Sequence, residues 1–246
     1  MEKKELNEAR IVSSTPKYTG YESNVFEYLD DDGEIVLFKR FKEHKYWRDT
    51  EETARNKEQK LEIITSLKDS SLVTVKQGLF KNGILVGYTM PEVTGERLCF
   101  GSKRKKKIKT LEKVKDIMLR LNKHGIYICD HHFGTYVIGE NGKVTCLDID
   151  NYRVFNKDAH LDCDAKPIYV VDFENECSKS KKVDRYCYNI FVYTTMGNIR
   201  HIIYPEELNG ELPKGLDTKH NKTVIKEMLT LGKDYKGHLL EFKKKN

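Results

Sequence analysis

The chain has 246 residues, of which 38% are hydrophobic, and its 44 Lys and Arg against 38 Asp and Glu give a formal net charge of +6. This suffices for one two-lobed domain or two small domains. The polar amino terminus cannot be a signal peptide, and no apolar stretch approaches the length of a membrane span. Six scattered cysteines lack zinc-binding spacing, so we expect reduced thiols in a cytoplasmic protein.

The first ninety residues are typical of a small antiparallel sheet with one helix. Residues 1–16 form a polar leader, and an Asp-Gly turn at 30–33 predicts a hairpin between strands at 25–29 and 34–39. A three-residue recurrence of Leu61, Ile64 and Leu67 predicts a helix over about 48–68. Further short strands are predicted at 72–75, 78–80 and 84–90.

The rest of the chain is mostly helical. An amphipathic helix is predicted over 106–123, where His124-Gly125 forms a normal helix stop. Residues 153–183 are polar and irregular, and residues 205–220 carry Pro and Gly and are typical of loops. Further helices are predicted over 183–196 and about 223–231.

Asp130 and Asp148 are the most informative residues of the chain. Each follows a short apolar run, and a Glu-Asn-Gly turn at 140–142 separates the two runs. A phosphotransferase of the protein-kinase type uses such a pair to place a substrate-orienting aspartate beside a magnesium-binding one. The pair therefore predicts that other parts of such a site occur elsewhere in the chain.

Candidates for the phosphate-binding parts occur in the expected order. The segment GYESNV at 20–25 resembles the end of a kinase glycine-rich loop, in which Gly20, Ser23 and Val25 would cover the phosphates. Lys39, which ends a strand, resembles the lysine that places a positive charge on the α- and β-phosphates. Glu58, 19 residues later, would be the helix residue that positions this lysine, with Glu62 as the second choice.

The segment from Gly87 to Val93 resembles the fifth strand and the hinge of a kinase. Met90 would take the gatekeeper place, and the backbone of residues 91–93, with Glu92 and Val93, would meet adenine.

The catalytic parts follow the hinge. Asp130 resembles the catalytic-loop aspartate, and His132 takes the place of the loop lysine, as in aminoglycoside-kinase-like relatives. Asp148, 18 residues after Asp130, matches the aspartate of the D-F-G motif and would bind Mg²⁺ with help from Thr135. Asp184 opens a helix as an aspartate of the large kinase lobe does, and that aspartate normally anchors the catalytic-loop backbone.

Residues 18–200 therefore resemble the eukaryotic-like protein kinase superfamily, in a divergent form with a shortened carboxyl-terminal lobe. The resemblance implies an α+β fold in one kinase-like domain, 17–246, with an amino-terminal lobe at about 17–92 and a mostly helical lobe at about 93–246. It implies ATP and Mg²⁺ as cofactors, with ATP between the lobes. It also implies transfer of the γ-phosphoryl group to a hydroxyl, either on a Ser or Thr of a protein or on a small molecule.

The departures from the family keep a second hypothesis open. Thr135 stands where the family has an asparagine, and its hydroxyl is a poorer magnesium ligand than an amide carbonyl. Ile128 and Cys129 replace the usual His-Arg, and most of the loop glycines are missing. The alternative is a catalytically weak or inactive pseudokinase that acts as a nucleotide-binding or protein-interaction module.

Three other features have rival interpretations. The Asp130-His131-His132 sequence is also the signature of a phosphoesterase family, but that family requires upstream aspartate motifs on a parallel sheet. The basic run at 103–109 opposes the helix macrodipole, which favours a partner role such as docking an acidic substrate, nucleic acid or a membrane surface. Because the chain contains no recognisable nucleic-acid-reading motif, we do not expect nucleic acid to be the partner.

Overall fold

The computed structural model describes residues 1–42, 50–98, 101–156, 159–161, 181–199, 208, 211–229 and 235–243. The chain divides into two compact units. The first unit comprises Met1–Thr94 and Thr145–Asp150, and the second comprises Gly95–Val144 and Asn151–Asn246. The predicted α+β class is confirmed. The segment around Asp148 belongs to the first unit, which corrects its predicted place in the later lobe at about 93–246.

The first unit is built on a six-stranded sheet with the order β1-β5-β6-β4-β3-β2. Its strands are β1 Glu2–Glu5, β2 Tyr18–Thr19, β3 Ser23–Leu29, β4 Ile35–Phe41, β5 Gln77–Lys81 and β6 Ile84–Met90. Strand β4 lies between β3 and β6 and is antiparallel to both. A residue on β4 is therefore held by backbone hydrogen bonds on both sides, which makes this strand a rigid support for a functional side chain.

The predicted β3–β4 hairpin is confirmed, and its sequence explains it. Gly33 adopts a φ of 81°, which a tight turn requires, and the Asp30 carboxylate accepts hydrogen bonds from the backbone N–H groups of Asp32 and Glu34. Alternating apolar residues of the two strands form one core face of the sheet: Phe26, Tyr28, Val36 and Phe38.

Strand β1 makes the sheet mixed, which corrects the prediction of an antiparallel one. It lies within the predicted polar leader and pairs in parallel with β5, with Glu2 opposite Gln77 and Glu5 opposite Phe80. Its four residues are all charged, so periodicity of apolar residues could not reveal it. Charged side chains are a common feature of edge strands, because they discourage further pairing.

Helix α1, Thr50–Ser66, confirms the helix predicted over about 48–68. Its buried stripe is Ala54, Lys57, Lys60, Leu61 and Ile64. The strand predicted at 72–75 is wrong. Instead, Leu72 forms an isolated parallel bridge with Cys146, and Val73 N–H donates to the Cys146 carbonyl over 2.9 Å.

The second unit contains three helices in its described part and several short strands. The helices are α2 Arg104–Asn122, α3 Lys181–Gly197 and α4 Lys219–Leu229. The strands are β7 Glu96–Arg97, β8 Ile126–Tyr127, β9 Tyr136–Ile138, β11 Arg153–Phe155 and β12 His160–Leu161, while β10 Val144–Cys146 leads back into the first unit. Strands β7 and β9 pair antiparallel, as do β8 with β11 and β11 with β12.

Helix α3 is the core of the second unit. It is buried along almost its whole length, and the Tyr188 hydroxyl donates to the Leu111 carbonyl of α2 over 2.9 Å. The apolar face predicted for α2 is confirmed, since Leu111, Val114, Met118 and Leu121 are fully buried. Asp130 lies eight residues after the end of α2.

Several predictions concern residues outside the described part of the chain. They are most of the irregular segment 153–183, part of the loop-rich segment 205–220 and the end of the basic tail. The three cysteines that are described, Cys129, Cys146 and Cys187, are buried. Within the described ranges, no helix has the length and apolar content needed to cross a membrane.

Candidate functional site

Lys39 is a buried lysine on the central strand β4. It is 4% exposed and lies directly opposite Tyr88 of β6 in the antiparallel register. Alternation along β4 puts Phe38 into the core face, so Lys39 projects from the other face of the sheet. The sequence of the strand therefore places a cation where water has almost no access.

Two carboxylates of the segment after β10 bind this lysine. Lys39 Nζ lies 2.8 Å from Asp148 Oδ1 and 2.7 Å from Asp150 Oδ1. Burial alone would lower the pKa of Lys39, but Asp150, Tyr88 and Asp148 outweigh it and raise this pKa well above its usual value. Lys39 is thus charged at neutral pH.

Asp150 is the buried centre of this charged cluster. It is 1% exposed, and besides Lys39 its Oδ1 accepts a hydrogen bond from the Tyr88 hydroxyl over 2.9 Å. Its Oδ2 lies 3.4 Å from Nζ of Lys57, which also lies 4.7 Å from the centre of the Phe41 ring. Burial would raise the pKa of Asp150, but Lys39 and Lys57 hold it well below its usual range.

Asp148 differs from Asp150 in its access to solvent. Its side chain is 37% exposed, against 2% for Asp150, and within the described ranges only its Oδ1 has a protein partner. Its φ of 52° lies in the left-handed region, which costs a non-glycine residue on the order of 1–3 kcal/mol. The backbone then enters a 3-10 turn, Ile149–Asn151. As far as the described residues show, the strained turn therefore leaves the second carboxylate oxygen of Asp148 without a protein partner.

Glu58 does not reach Lys39, which corrects the predicted pairing. It accepts a hydrogen bond of 2.6 Å from Lys3 of β1, and Glu62 lies 2.9 Å from the same lysine. The residue of α1 that reaches the cluster is Lys57, one position before Glu58. Because successive helical residues point about 100° apart, this shift by one residue replaces an expected carboxylate with a second cation.

The predicted glycine-rich segment forms the turn between β2 and β3. Gly20 N–H donates to the Ser23 carbonyl over 2.8 Å, and Val25 lies opposite Tyr18 in the register of the two strands. Lys42 Nζ donates to the Gly20 carbonyl over 2.6 Å, and Ser23 is largely buried. The segment is thus a short hairpin turn, and its role in covering phosphates stays a prediction.

The predicted hinge residues lie at and after the end of β6. Met90 is buried opposite Leu37 of β4. Glu92 is bound by its neighbours, since Lys17 Nζ lies 3.0 Å from its carboxylate and the Tyr18 hydroxyl donates to it over 3.1 Å. Lys17 lowers the pKa of Glu92. Val93 follows outside any strand, and the adenine contact of these residues stays a prediction.

In the second unit, Asp130 lies on a strained turn. Cys129 has a φ of 57°, and Asp130 N–H donates to the Ile128 carbonyl over 2.6 Å, which makes a three-residue turn centred on Cys129. The Asp130 side chain is 33% exposed, and its Oδ2 lies 3.4 Å from Nε2 of His132. The turn therefore presents the Asp130 carboxylate beside an imidazole.

Thr135 is placed to support this turn. Its hydroxyl donates to the Asp130 carbonyl over 3.0 Å, and the residue is 1% exposed. Thr135 belongs to the second unit, whereas Asp148, its predicted co-ligand, belongs to the first. The observed role of Thr135 is to hold the backbone of Asp130, and its predicted role as a metal ligand is untested.

A buried polar network anchors the Asp130 turn to helix α3. Asp184, which is fully buried, accepts hydrogen bonds of 2.9 Å from Cys129 N–H and 2.7 Å from the Asn122 amide. His131 bridges Asp184, at 2.8 Å, and the Tyr136 hydroxyl, at 2.5 Å. The predicted contact of Asp184 with the loop backbone is confirmed. Both ring nitrogens of His131 are engaged inside the protein, so His131 and His132 do not form an exposed metal-binding pair.

Among the residues that the structure describes, few donors are placed to bind a cation. No group of three or more His, Cys, Asp or Glu in the described ranges is arranged to hold a metal ion. The Asp148 side chain is partly exposed and carries a hard carboxylate next to a buried cation, which fits a Mg²⁺ ion that keeps several waters and is shared with phosphate oxygens. A single carboxylate suits such an ion when it arrives with a nucleotide.

Three residues of the cluster and its surroundings were not predicted. The sequence gives one indication of Asp150, because this second aspartate stands two positions after Asp148. Aspartates at such positions are more commonly turn or cap residues, so the pattern alone did not identify Asp150 as a site residue. Tyr88 and Lys57 can be identified as members of the cluster only when strand register and helix phase are known.

Comparison of the sequence with protein-family models and with curated proteins gives no match.

Proposed function

We propose that the chain is an ATP- and Mg²⁺-dependent phosphotransferase of the protein-kinase type, which transfers the γ-phosphoryl group to a hydroxyl acceptor. The observation that carries the proposal is the buried Lys39, which is held by two carboxylates of which one, Asp148, is open to a ligand. The proposal includes a two-lobed kinase-like arrangement with a shortened carboxyl-terminal part.

A purely structural role explains this cluster less well. Buried ion pairs contribute little net stability compared with apolar residues of similar size, because desolvation of both charges offsets their attraction. Buried titratable groups with strongly shifted pKa values and specific charged partners are concentrated in functional sites. Lys39 and Asp150 have both properties, and Asp148 adds backbone strain at the same place.

In the proposed reaction, positioning and charge neutralisation carry most of the work. Lys39 would neutralise phosphate oxygens, and Asp148 would supply a carboxylate oxygen to the metal. When bound, Mg²⁺ would draw charge from the β- and γ-phosphates. Asp130 would accept a hydrogen bond from the acceptor hydroxyl and orient it, while His132, 3.4 Å away, would add positive charge when protonated.

The anchoring of Asp130 supports the role of an orienting group. A catalytic carboxylate must be held within a fraction of an ångström of its productive position. Asp184 and Thr135 fix the backbone on both sides of Asp130, and the network that holds them is buried. Mobility of this carboxylate is thereby confined mainly to its side-chain torsions.

A nucleotide-binding module without turnover is the second candidate. The observation that favours it is Thr135, whose buried hydroxyl is donated to the Asp130 carbonyl where an active family member has a metal-binding asparagine. Such a module would bind MgATP through Lys39 and Asp148, and Asp130 would have no role in binding.

The identity of the acceptor is part of the proposal. A Ser or Thr of a protein is our first choice, and the basic run at 103–109 is the candidate surface for an acidic partner. Within this run, Lys107 is buried and donates to the Thr195 carbonyl and to Asn198, and Lys106 pairs with Glu96. The exposed cations of the run are therefore Lys103, Arg104, Lys105 and Lys109.

Nucleotide binding and turnover test the two candidates. We expect MgATP to raise the melting temperature of the protein and Asp148→Asn to abolish the Mg²⁺-dependent part of the shift. Asp32→Asn, the same charge change on an exposed turn of the first unit, is the matched control. Absence of any shift at millimolar MgATP would contradict both candidates.

Turnover then separates an enzyme from a module. Transfer of labelled γ-phosphate to general protein acceptors, or to water, should fall at least about a hundredfold in Asp130→Asn. MgATP affinity should be kept in that variant, and the exposed Asp116→Asn should behave as the wild-type protein does. Nucleotide binding with no turnover in either the wild type or the variants would establish the module.

A further inference from the structure

We infer that Asp150 is the residue that positions Lys39, a role that the resemblance to protein kinases assigns to a glutamate of helix α1. One short turn, residues 148–150, would then supply both the metal-binding carboxylate and the carboxylate that fixes the phosphate-binding lysine. The inference rests on the proposed function and names a positioning residue for it.

The geometry fixes the Asp150 carboxylate from three sides. Its Oδ1 accepts hydrogen bonds from Lys39 Nζ and the Tyr88 hydroxyl at 2.7 and 2.9 Å, and its Oδ2 lies 3.4 Å from Lys57 Nζ. Tyr88 and Lys39 are opposite each other on paired strands, so one sheet face orients both donors. A carboxylate held in this way has a single orientation available, which is what a positioning residue requires.

The role of helix α1 is inverted relative to the family. Lys57 faces the cluster and is 1% exposed, whereas Glu58 pairs with Lys3 and its side chain is 21% exposed. A second cation near Asp150 balances the cluster, which contains Lys39 and Lys57 against Asp148 and Asp150. Helix α1 therefore contributes charge balance for Asp150 and no carboxylate for Lys39.

The two carboxylates on Lys39 have different freedom. Asp148 is partly exposed and can turn one or both oxygens to a metal ion, which would weaken its contact with Lys39. Asp150 has almost no exposed surface and both its oxygens are engaged, so it stays on Lys39 whatever occupies Asp148. Asp150 is thus the permanent partner of Lys39, and Asp148 is the exchangeable one.

The experiment measures MgATP affinity by titration calorimetry, which needs no knowledge of the acceptor. We compare Asp150→Asn, Glu58→Gln, Lys57→Met and the control Asp32→Asn, each checked for folding by circular dichroism. Asp150→Asn should weaken affinity about tenfold to a hundredfold, the effect of losing a hydrogen bond between charged groups. Glu58→Gln should change it less than about twofold, since its ion pair with Lys3 is near the surface.

The comparison of Asp150→Asn with Lys57→Met provides a readout that a merely structural role would not move. Lys57→Met disturbs the same buried carboxylate but keeps its contact with Lys39, so its MgATP affinity should stay close to that of the wild type. If both variants weakened MgATP affinity equally, Asp150 would be structural only.

The outcomes separate this inference from the proposed function. Wild-type protein that does not bind MgATP would overturn both. Wild-type binding with Asp150→Asn equal to Asp32→Asn, or with Glu58→Gln weakened tenfold, would overturn the positioning role alone. If Asp150→Asn does not fold, the Glu58→Gln and Lys57→Met variants still distinguish the two arrangements. The family arrangement requires Glu58→Gln to lose MgATP affinity, whereas the arrangement with Asp150 on Lys39 does not.

Discussion

Asp150 shows how a single residue can determine the pH range in which a buried charged cluster is stable. The Asp150 carboxylate must remain ionised although it is 1% exposed, and two lysines provide the compensation. Removing one member leaves the others buried without full compensation, which typically costs about 3–5 kcal/mol. The cluster is therefore sensitive both to substitution and to protonation.

The pH dependence of stability tests this balance. The pKa of Asp150 is lower in the folded protein than in the unfolded chain, where it is about 3.9. Its contribution is present above that value and is lost as the pH falls towards the folded pKa, because the unfolded state then binds more protons. We expect the free energy of unfolding, measured with urea between pH 6 and about pH 3, to fall more steeply in the wild type than in Asp150→Asn.

A control isolates this contribution from those of other carboxylates. Asp32→Asn removes the same charge from an exposed turn and should keep the wild-type slope. Lys39 affects stability at the alkaline end of the pH range. Because its pKa is raised in the folded protein, its contribution to the free energy of unfolding is complete below about pH 10.4 and is lost as the pH rises further. Equal acid slopes in the wild type and Asp150→Asn would show that the cluster does not stabilise the fold.

Backbone strain occurs at or next to the two aspartates, Asp130 and Asp148, that the sequence identifies as candidate site residues. Cys129 and Asp148 both have positive φ values, and they precede or coincide with the two candidate aspartates. Such conformations persist only where surrounding contacts enforce them, and they are concentrated at functional sites. Asp184 enforces the first through the Cys129 N–H group, and Lys39 binds the carboxylate of the second.

At the scale of elements, the close approach of β6 to β4 sets the position of Lys39. Gly87 pairs with Arg40, and a Cβ atom at Gly87 would fall on the Lys39 carbonyl oxygen and lie 2.7 Å from the Phe38 ring. A side chain at position 87 would have to displace the backbone of β4, and that displacement costs more free energy than the movement of a flexible side chain. Glycine at this position therefore maintains the strand spacing that brings Lys39 opposite Tyr88.

Gly87→Ala should disturb both stability and nucleotide binding. Overpacking of this kind typically costs about 1–3 kcal/mol, and the shift of β4 would move Lys39 relative to Asp148 and Asp150. We expect a lower urea midpoint together with weaker MgATP affinity. Gly101→Ala, where a Cβ would meet nothing within 4 Å, is the matched control. A destabilised variant with unchanged affinity would show that the spacing of the strands does not govern the site.

Most elements of the fold could be predicted from the sequence, because their apolar residues follow the periodicity of a strand or a helix. Strand β1 could not, since all four of its residues are charged and its edge position depends on β5, more than seventy residues away. The short segment at 72–75 has strand-like composition, but its backbone groups bond to the segment around Cys146. In both segments the observed structure depends on pairing with a distant part of the chain, which local periodicity does not show.

The candidate site was predictable in its residue types but not in all its contacts. Spacing identified Lys39, Asp130 and Asp148, but the same argument from spacing assigned Glu58 to Lys39, because spacing does not show which residues form the buried stripe of α1. The stripe contains Lys57 as well as Ala54, Leu61 and Ile64, which fixes the phase of the helix and turns Glu58 towards Lys3. A lysine on a buried stripe is recognisable only once its carboxylate partner is known.

At the scale of the whole molecule, the two candidate aspartates belong to different compact units. Asp148 and Lys39 lie in the first unit, and Asp130 with its Asp184 anchor lies in the second. The two proposed functions therefore differ in how many units respond to nucleotide. A binding module needs only the first unit, whereas phosphoryl transfer needs the Asp130 turn to be organised at the same time.

Hydrogen exchange with and without MgATP distinguishes these cases. A bound ligand slows exchange of amides whose opening it opposes. Both functions predict slower exchange in β4 and in residues 146–150. Phosphoryl transfer predicts that residues 128–135 are protected as well, because the turn centred on Cys129 must adopt one conformation for Asp130 to orient an acceptor. Protection confined to the first unit would favour the module.

Two controls make the result decisive. ATP without Mg²⁺, and MgATP with Asp148→Asn, should each reduce protection of residues 146–150, because the metal contact of that segment is then missing. Asp130→Asn should leave protection of the first unit intact. Protection of residues 128–135 that survives in Asp148→Asn would mean that the second unit responds to nucleotide independently of the carboxylate proposed to bind the metal, which contradicts the roles proposed for the two aspartates.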